Sequence, residues 1–482
     1  MQTGKKQTIN TAVKAQLALK RWEDDKEVRA DRATRYLAYY THLYTEQWLQ
    51  QDIPAGDRPK ISLFLSADII RQYRAKLFPN RAEIGIKCYP ETQGTADTAT
   101  DTLTSDYENA VLETYEDNQL PLILHDCAET FFVGGDACIY APHNPAGTPG
   151  KGADTLIYFL DPTTVTLGIF GNKKVYGMHE QTITAQQARK LPWVHLDEDI
   201  PDDAVLSDIY YFDIDSYCRV INKDTNSAKA IKNPYETNYK IPYFWFANNA
   251  KPGSNSGNSE LRHLRILDKE LNMRISDYAQ RLRSGVLGPV FVSGAANNKN
   301  ISLDEDFINF LAAGGKAERL ALPGDGSDYL EYFNFLLDIY NKKTTISDDV
   351  IGTKNANAVS SGIALQYKFL SLQELIDEKR LPWDNGLRQL NKQILYNKFG
   401  AGKKYRNKPI FASVLPNDET AQAHNNSLLV EAGLKPRESA IDEINPNESA
   451  KDLIKKIDTD IKKNPQFYKK QTTNQSMTKY EK

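Results

Sequence analysis

The stretch GNSELRHLRILDKELNMRISDYAQRLR, residues 257–283, decides how the rest of the chain is read. Within it Leu264, Leu267, Leu271, Ile275, Tyr278 and Leu282 recur at three- and four-residue steps. That spacing draws one apolar seam along a single long helix. From Glu260 to Arg283 such a helix spans about 36 Å at 1.5 Å per residue. Gly285, Gly288 and Pro289 then end it.

Toward the C-terminus, Val286 to Gly326 reads as a compact segment of strand, short helix (Asp304 to Ala312) and strand. A second helix is expected from near Ser327, with Asp328 as its N-cap and Glu331 three residues on. It carries Tyr329, Leu330, Tyr332, Phe333, Phe335, Leu336, Leu337, Ile339 and Tyr340 around most of its circumference. A helix apolar on nearly every side is expected to be enclosed on more than one side. Gly352 to Gly362 is a small polar loop, and a third long helix follows from Ile363 to about Phe399, interrupted at Pro382 by a kink. The region from Pro416 to Asn447 reads as short helices. From Lys451 to Lys482, nine Lys stand against four Asp and Glu, and the Gln/Thr/Asn-rich end is expected to be disordered.

Toward the N-terminus, Lys251 to Ser259 is a linker containing Pro252, Gly253 and Gly257. Before it lie runs rich in β-branched and aromatic residues: Ala137 to Ala141, Thr155 to Leu160, Val165 to Phe170, Lys174 to Thr184, Asp208 to Asn222 and Tyr243 to Phe246. They are expected to be antiparallel strands of a mixed body. Helices are expected over Thr11 to Gln51, Ser66 to Leu77 and Ser105 to Thr130, the last broken by Gly134-Gly135, with a mobile polar loop over Thr92 to Thr102.

Sixty Lys and Arg against 63 Asp and Glu leave a formal charge of −3, so any contact with nucleic acid has to be local or to tolerate an acidic wall. No apolar run reaches the ~20 residues of a membrane-spanning helix, and Met1 to Lys6 lacks the apolar core of a secretory signal, so synthesis in a cytoplasm is expected. Cys88, Cys127, Cys138 and Cys218 form no CxxC, and no His pair has zinc-ligand spacing; incidental buried thiols are expected, without metal or disulfide. The 26 tyrosines are the residue type that favours interfaces, with one apolar face and one polar tip.

Catalytic templates are missing. Gly147-Thr148-Pro149-Gly150-Lys151 and Gly400-Ala401-Gly402-Lys403 have the wrong spacing for a phosphate-binding loop. Neither HExxH nor GxSxG occurs. Asp213 and Asp215 have cation-binding chemistry, but alternation along one strand places both on a solvated face. His125 and His143 are expected to be structural.

Three pieces of sequence give this order of elements a family likeness: Ile241-Pro242-Tyr243-Phe244 followed by Gly257-Asn258-Ser259-Glu260-Leu261; Val359-Ser360-Ser361-Gly362-Ile363-Ala364-Leu365; and Phe131-Phe132-Val133-Gly134-Gly135-Asp136-Ala137. In that order, over about Ser105 to Asn447, the chain resembles the portal proteins of tailed double-stranded DNA bacteriophages. The resemblance implies an elongated, multi-module α+β fold. A mixed α/β wing would occupy 1–258, a two-helix stem 259–284 and 327–350, and a small α/β clip 285–326. A channel loop would occupy 351–361, a return to the wing 362–415, and a helical crown with a tail 416–482.

The resemblance also implies a function: a ring of twelve subunits at one capsid vertex of the virion, assembled in the host cytoplasm, that conducts double-stranded DNA during packaging and ejection. Implied partners are the terminase at the clip, the major capsid and scaffolding proteins, and later the head-completion and tail proteins. No enzymatic activity, cofactor or membrane belongs to this reading. Leu264, Leu267, Leu271, Ile275, Tyr278 and Leu282, with Phe333, Leu336, Leu337 and Tyr340, would pack between subunits. Thr353, Lys354, Asn355, Asn357 and Ser360 would face DNA, Lys354 as a sparse ring of charge that grips weakly. Basic residues outnumber acidic ones on the first stem helix and the reverse holds on the second, a contrast suited to setting register between subunits. Two other classes remain open: a carboxylate-dependent nucleic-acid-processing enzyme and a non-channel phage adaptor.

Overall fold

The computed structural model describes residues 10–44, 60–79, 84–90, 98–170, 173–235, 241–251, 254, 256–287, 290–293, 316–319, 327–346, 362–400, 405–412, 419–444 and 450–463. The chain is a mixture of helix and antiparallel sheet, as expected of an α+β protein.

Helices α1 (Thr11–Asp24) and α2 (Lys26–Tyr44) replace the single helix expected to Gln51. The chain turns at Asp25, whose N–H bonds back to the Arg21 carbonyl. Arg29 staples the break: its guanidinium lies 3.4 Å over the Trp22 ring and donates to the Trp22 carbonyl and to Thr166 Oγ1. Asn10 caps α1 by accepting from Val13 N, and the helix buries Ala15, Ala18 and Trp22 on Met178, Ile209, Tyr211, Cys218 and Val220.

Next come α3 (Leu65–Leu77), β1 (Gly85–Pro90), α4 (Thr98–Asp117) and α5 (Leu120–Val133). The loop expected to reach Thr102 is therefore helical from Thr98, and the helix expected over Ser105 to Thr130 is two helices. Gln119 adopts a left-handed conformation (φ 50°), and Pro121 opens α5 where its missing N–H costs nothing. Asn118 holds the corner by donating to the Thr155 carbonyl and accepting from Ile157 N.

The strands that follow are β2 (Asp136–Tyr140), β3 (Tyr158–Leu160), β4 (Val165–Phe170) and β5 (Lys173–Thr184), then short α6 (Ala185–Arg189), then β6 (Val205–Asp213), β7 (Ser216–Ile221), β8 (Ala228–Lys232) and β9 (Tyr243–Ala247). They form two antiparallel sheets, β3-β2-β9 and the meander β4-β5-β6-β7-β8. The run Asp208 to Asn222 is a hairpin, and Asp213 is buried in its turn rather than solvated. Its carboxylate accepts from the backbone of Asp215 and Ser216 and from Ser216 Oγ, and pairs with Lys14 of α1 at 2.8 Å. Asp213 thus closes a turn and anchors a helix.

The remaining elements are α7 (Arg265–Leu287), β10 (Val290–Ser293), β11 (Lys316–Arg319), α8 (Ser327–Thr344), α9 (Gly362–Phe399), β12 (Tyr405–Ile410), α10 (Glu419–Glu431), α11 (Arg437–Ile444) and α12 (Ala450–Lys463). Strands β10 and β11 pair antiparallel between α7 and α8; the short helix expected at Asp304 to Ala312 lies outside the described residues. Asp328 stands inside the first turn of α8 rather than at its N-cap, where its charge suits the helix dipole. Helix α9 runs through Pro382 unbroken. The Lys-rich segment is helical over Ala450–Lys463, and the tail expected to be disordered lies beyond the described residues. Strands β1 and β12, absent from the sequence reading, pair with each other beside α9.

The largest apolar core joins α3, α4, α5, β2, β9, α7, α8 and α9. Trp383 of α9 is its centre, stacked on Phe246 (4.1 Å, 14°) and edge-on to Phe131 and Phe78. Gly386, one turn on, leaves room for the Phe246 ring, which a Cβ would meet at 2.2 Å. All four cysteines are free and buried.

Candidate functional site: the two-helix arm and its root

Helices α7 and α8 run side by side in opposite directions: Arg281 lies over Tyr329, Arg274 over Tyr332, and Asp268 close to Tyr340. They make a two-helix arm that carries the β10–β11 pair. The arm leaves the body at a junction built from two glycine-containing segments that are far apart in sequence.

Gly135 (φ 93°) and Gly257 press backbone against backbone. A Cβ on Gly257 would meet the Gly135 carbonyl oxygen at 2.0 Å, and one on Gly135 would meet Gly257 and Asn258 backbone carbons at 2.8 Å. Only glycine permits this approach from both sides. Asn248 N donates to the Gly135 carbonyl and Asn258 N donates to the Asn248 carbonyl, tying the end of β9 into the same knot. Asp136, 1% exposed, accepts from Gly257 N at 2.8 Å and from Ser256 Oγ at 3.0 Å, and lies 3.7 Å from Arg32. Burial holds its carboxyl above the usual carboxylate range, against the opposing pull of the Gly257 N–H and of Arg32. Arg32 itself donates to the carbonyls of Pro162 and Val165, so α2, the linker and both sheets meet at one carboxylate.

The first turns of the arm are fastened by a second set of polar pairs. Lys379 of α9, 3% exposed, bonds Asn248 Oδ1 at 3.0 Å and the Glu260 carboxylate. Along α7, Asp268, Asn272 and Ser276 stand four residues apart on one buried face. Asp268 meets His42 of α2 at 3.0 Å, while Asn272 and Ser276 accept from the backbone N–H groups of Leu63 and Ile61. On α8, Tyr340 pairs with Ser66, and Tyr73 donates to the Thr344 carbonyl. Burial raises both tyrosines' pKa, so neither ionises in ordinary conditions. These groups position the arm; none has the exposed, activated character of a nucleophile or general base.

The residues expected between subunits divide along this arm. Leu264, Leu271, Leu336 and Tyr340 are buried in the chain's own core, and Leu267, Phe333 and Leu337 pack on its margin. Leu271, with no exposed surface, has nothing left to offer a neighbour. Ile275 and Tyr278 are half-buried, and Leu282 is 54% exposed. Among the described residues, helix α8 is enclosed on one side only: Leu330, Tyr332 and Phe335 are exposed, Phe335 by 58%. Part of the charge contrast is spent inside α7, where Arg274 pairs with Glu270 and Asp277. The loop residues Thr353, Lys354, Asn355, Asn357 and Ser360 lie outside the described residues.

The polar stripe Asp268/Asn272/Ser276 escaped the sequence reading, in which such residues look like a solvated face. Its i, i+4, i+8 spacing was the available signal. His143 is structural, bonded through N and Nδ1 to Tyr235, and the exposed His125 contacts Arg74. Among the described residues no group of three or more His, Cys, Asp or Glu is placed to hold a metal, and no helix is long and apolar enough to cross a membrane. No protein-family model matches the chain, and no curated protein matches it.

Proposed function

We propose that this chain is a portal-type subunit, which assembles into a ring around a channel for double-stranded DNA and works as a structural and mechanical part rather than an enzyme. The observation that carries this reading is the exposed apolar side of the two-helix arm. A solvated helix pair gains nothing by presenting Leu282, Leu330, Tyr332 and Phe335 to water. In a closed ring each arm packs on its neighbour's, and a heterologous contact repeated by rotation covers the same patch on every copy.

A rigid root suits this role. An arm that lines a channel under load has to keep its angle to the body, and the Gly135–Gly257 knot with the Asp136 and Lys379 pairs resists rotation there. The loop from Gly352 to Ser361 would reach DNA through Lys354 and the amides of Asn355 and Asn357, without reading bases. The β10–β11 segment would dock the terminase, whose ATPase supplies the energy. Capsid, scaffolding and head-completion proteins would bind the outer surfaces at the capsid vertex.

Negative-stain imaging of the purified full chain tests the reading. Annular particles with a central hole are the expected result. Monodisperse single subunits at micromolar concentration, with DNA cleavage dependent on divalent cations, would replace the portal with the enzyme reading.

A further inference from the structure

The tyrosines concentrate away from the arm, in a cleft of about 690 Å³ between the two sheets. Tyr140 and Tyr158 form one wall, with ring centroids 6.2 Å apart and 25° between planes. Phe212, 6.1 Å from Tyr140, continues this lining to Tyr217, whose ring lies 4.5 Å from its own. His179 closes the floor, 2% exposed, stacked on Tyr210 at 9° and bonded through Nδ1 to the Tyr243 hydroxyl. Pro142, Pro145 and Pro234 also line the cleft.

Two properties narrow the occupant. The first is charge: among the described residues, no Asp, Glu, Lys or Arg lines the cleft. Burial pulls His179 down to about 3, so the floor is neutral as well. Phosphates, nucleic-acid backbone and charged peptides find no counter-charge here. The second is hydrogen bonding: the hydroxyls of Tyr140, Tyr158 and Tyr217 have no partner among the described residues and are free to donate. A neutral, ring-walled cleft with spare donors complements a chain of flat, uncharged rings that offers carbonyl acceptors and few N–H groups.

We propose that this cleft binds a proline-rich segment of a partner protein in the extended polyproline conformation. Such segments dock in aromatic-lined grooves, where proline rings lie against aromatic faces and hydroxyls bond the exposed carbonyls. The segment is stiff before it binds, so little order is lost. This inference rests on the cleft alone and stands or falls separately from the ring.

The test is fluorescence anisotropy of dye-labelled, end-blocked decaproline titrated with the full chain. Saturable binding is expected. It should weaken at least tenfold in Tyr158→Ala/Tyr217→Ala and about threefold in Tyr158→Phe/Tyr217→Phe, which keeps the rings and removes only the hydroxyls. Phe170→Ala, at an exposed residue outside the cleft, should bind like wild type. Absence of saturation at millimolar protein, or equal binding by the double alanine variant, would overturn the proposal. So would tighter binding of an alternating Val/Thr decapeptide, which would indicate strand addition along the edge strand β3. Binding of N-acetyltyrosine amide in place of decaproline would likewise overturn it and mark a small-molecule site.

Discussion

Near its root the arm is held by buried polar groups: His42 on Asp268, Lys379 on Glu260, Asn272 and Ser276 on the backbone of residues 61–63. Farther out, the same two helices meet through Arg274 and Arg281 on tyrosine rings and leave Leu282 and Phe335 in water. The root is bonded mostly within its own chain, with Asp268 Oδ1 left over, whereas the outer part leaves apolar side chains exposed. On the proposed reading, burial and directional bonds hold the subunit rigid, and the exposed apolar surface of the helix pair is where a neighbouring copy would pack.

The sharpest break of this contrast is Gly257→Ala. The added methyl has no room beside the Gly135 carbonyl, so the knot has to open, at a cost of about 3 kcal/mol or more. Hydrogen exchange should show faster exchange along the start of α7 and in β2. Unchanged protection would mean that the knot does not carry the arm.

Lys379→Met is expected to cost about 2 kcal/mol, because it leaves the Glu260 carboxylate, 17% exposed, with the Asn248 and Asn249 amides but no counter-charge. Adding Glu260→Gln should restore part of that loss, which a double-mutant cycle in urea would measure. Additivity of the two changes would show that the pair is not coupled.

The acid side of the stability curve separates the sheets from the arm. His179 has a folded pKa of about 3 against an ordinary 6.5, so its folded state favours the neutral ring. Its contribution is full above pH 6.5 and is lost as pH falls toward 3, by up to about 1.4 kcal/mol per pH unit. His179→Phe should flatten the decline of the urea midpoint between pH 6 and 4. An unchanged slope would remove His179 as its source.

How much of this was legible beforehand depended on what periodicity can carry. The seam Leu264/Leu271 was readable as apolar, but spacing reports that a side is buried and not what buries it. For those two positions the cover is the chain's own body. Gly135 and Gly257 were each visible, one as a break and the other as part of a linker; their contact is long-range and leaves no local trace. Pro121 was the available signal for the division between α4 and α5, since proline ends a helical pattern before it, but the sequence reading carried one helix through it. Strand β12 was hidden because Asn407 and Pro409, both poor strand formers, occupy its buried positions. Asp213 looked solvated because alternation was carried through a turn.

The smallest expected effect belongs to the loop. Lys354→Glu should leave assembly intact and weaken DNA filling, most at low salt, where screening is least. Equal filling at two ionic strengths would make the loop a plain connector.

The central claim is that the outer arm is covered by a second copy, and native mass measurement of wild type beside Leu282→Asp/Phe335→Asp tests it most directly. Both residues are exposed, so folding should be conserved within about 0.5 kcal/mol per site. The account predicts a ring-sized assembly for wild type and single, folded subunits for the double variant. Equal masses for the two proteins would contradict it.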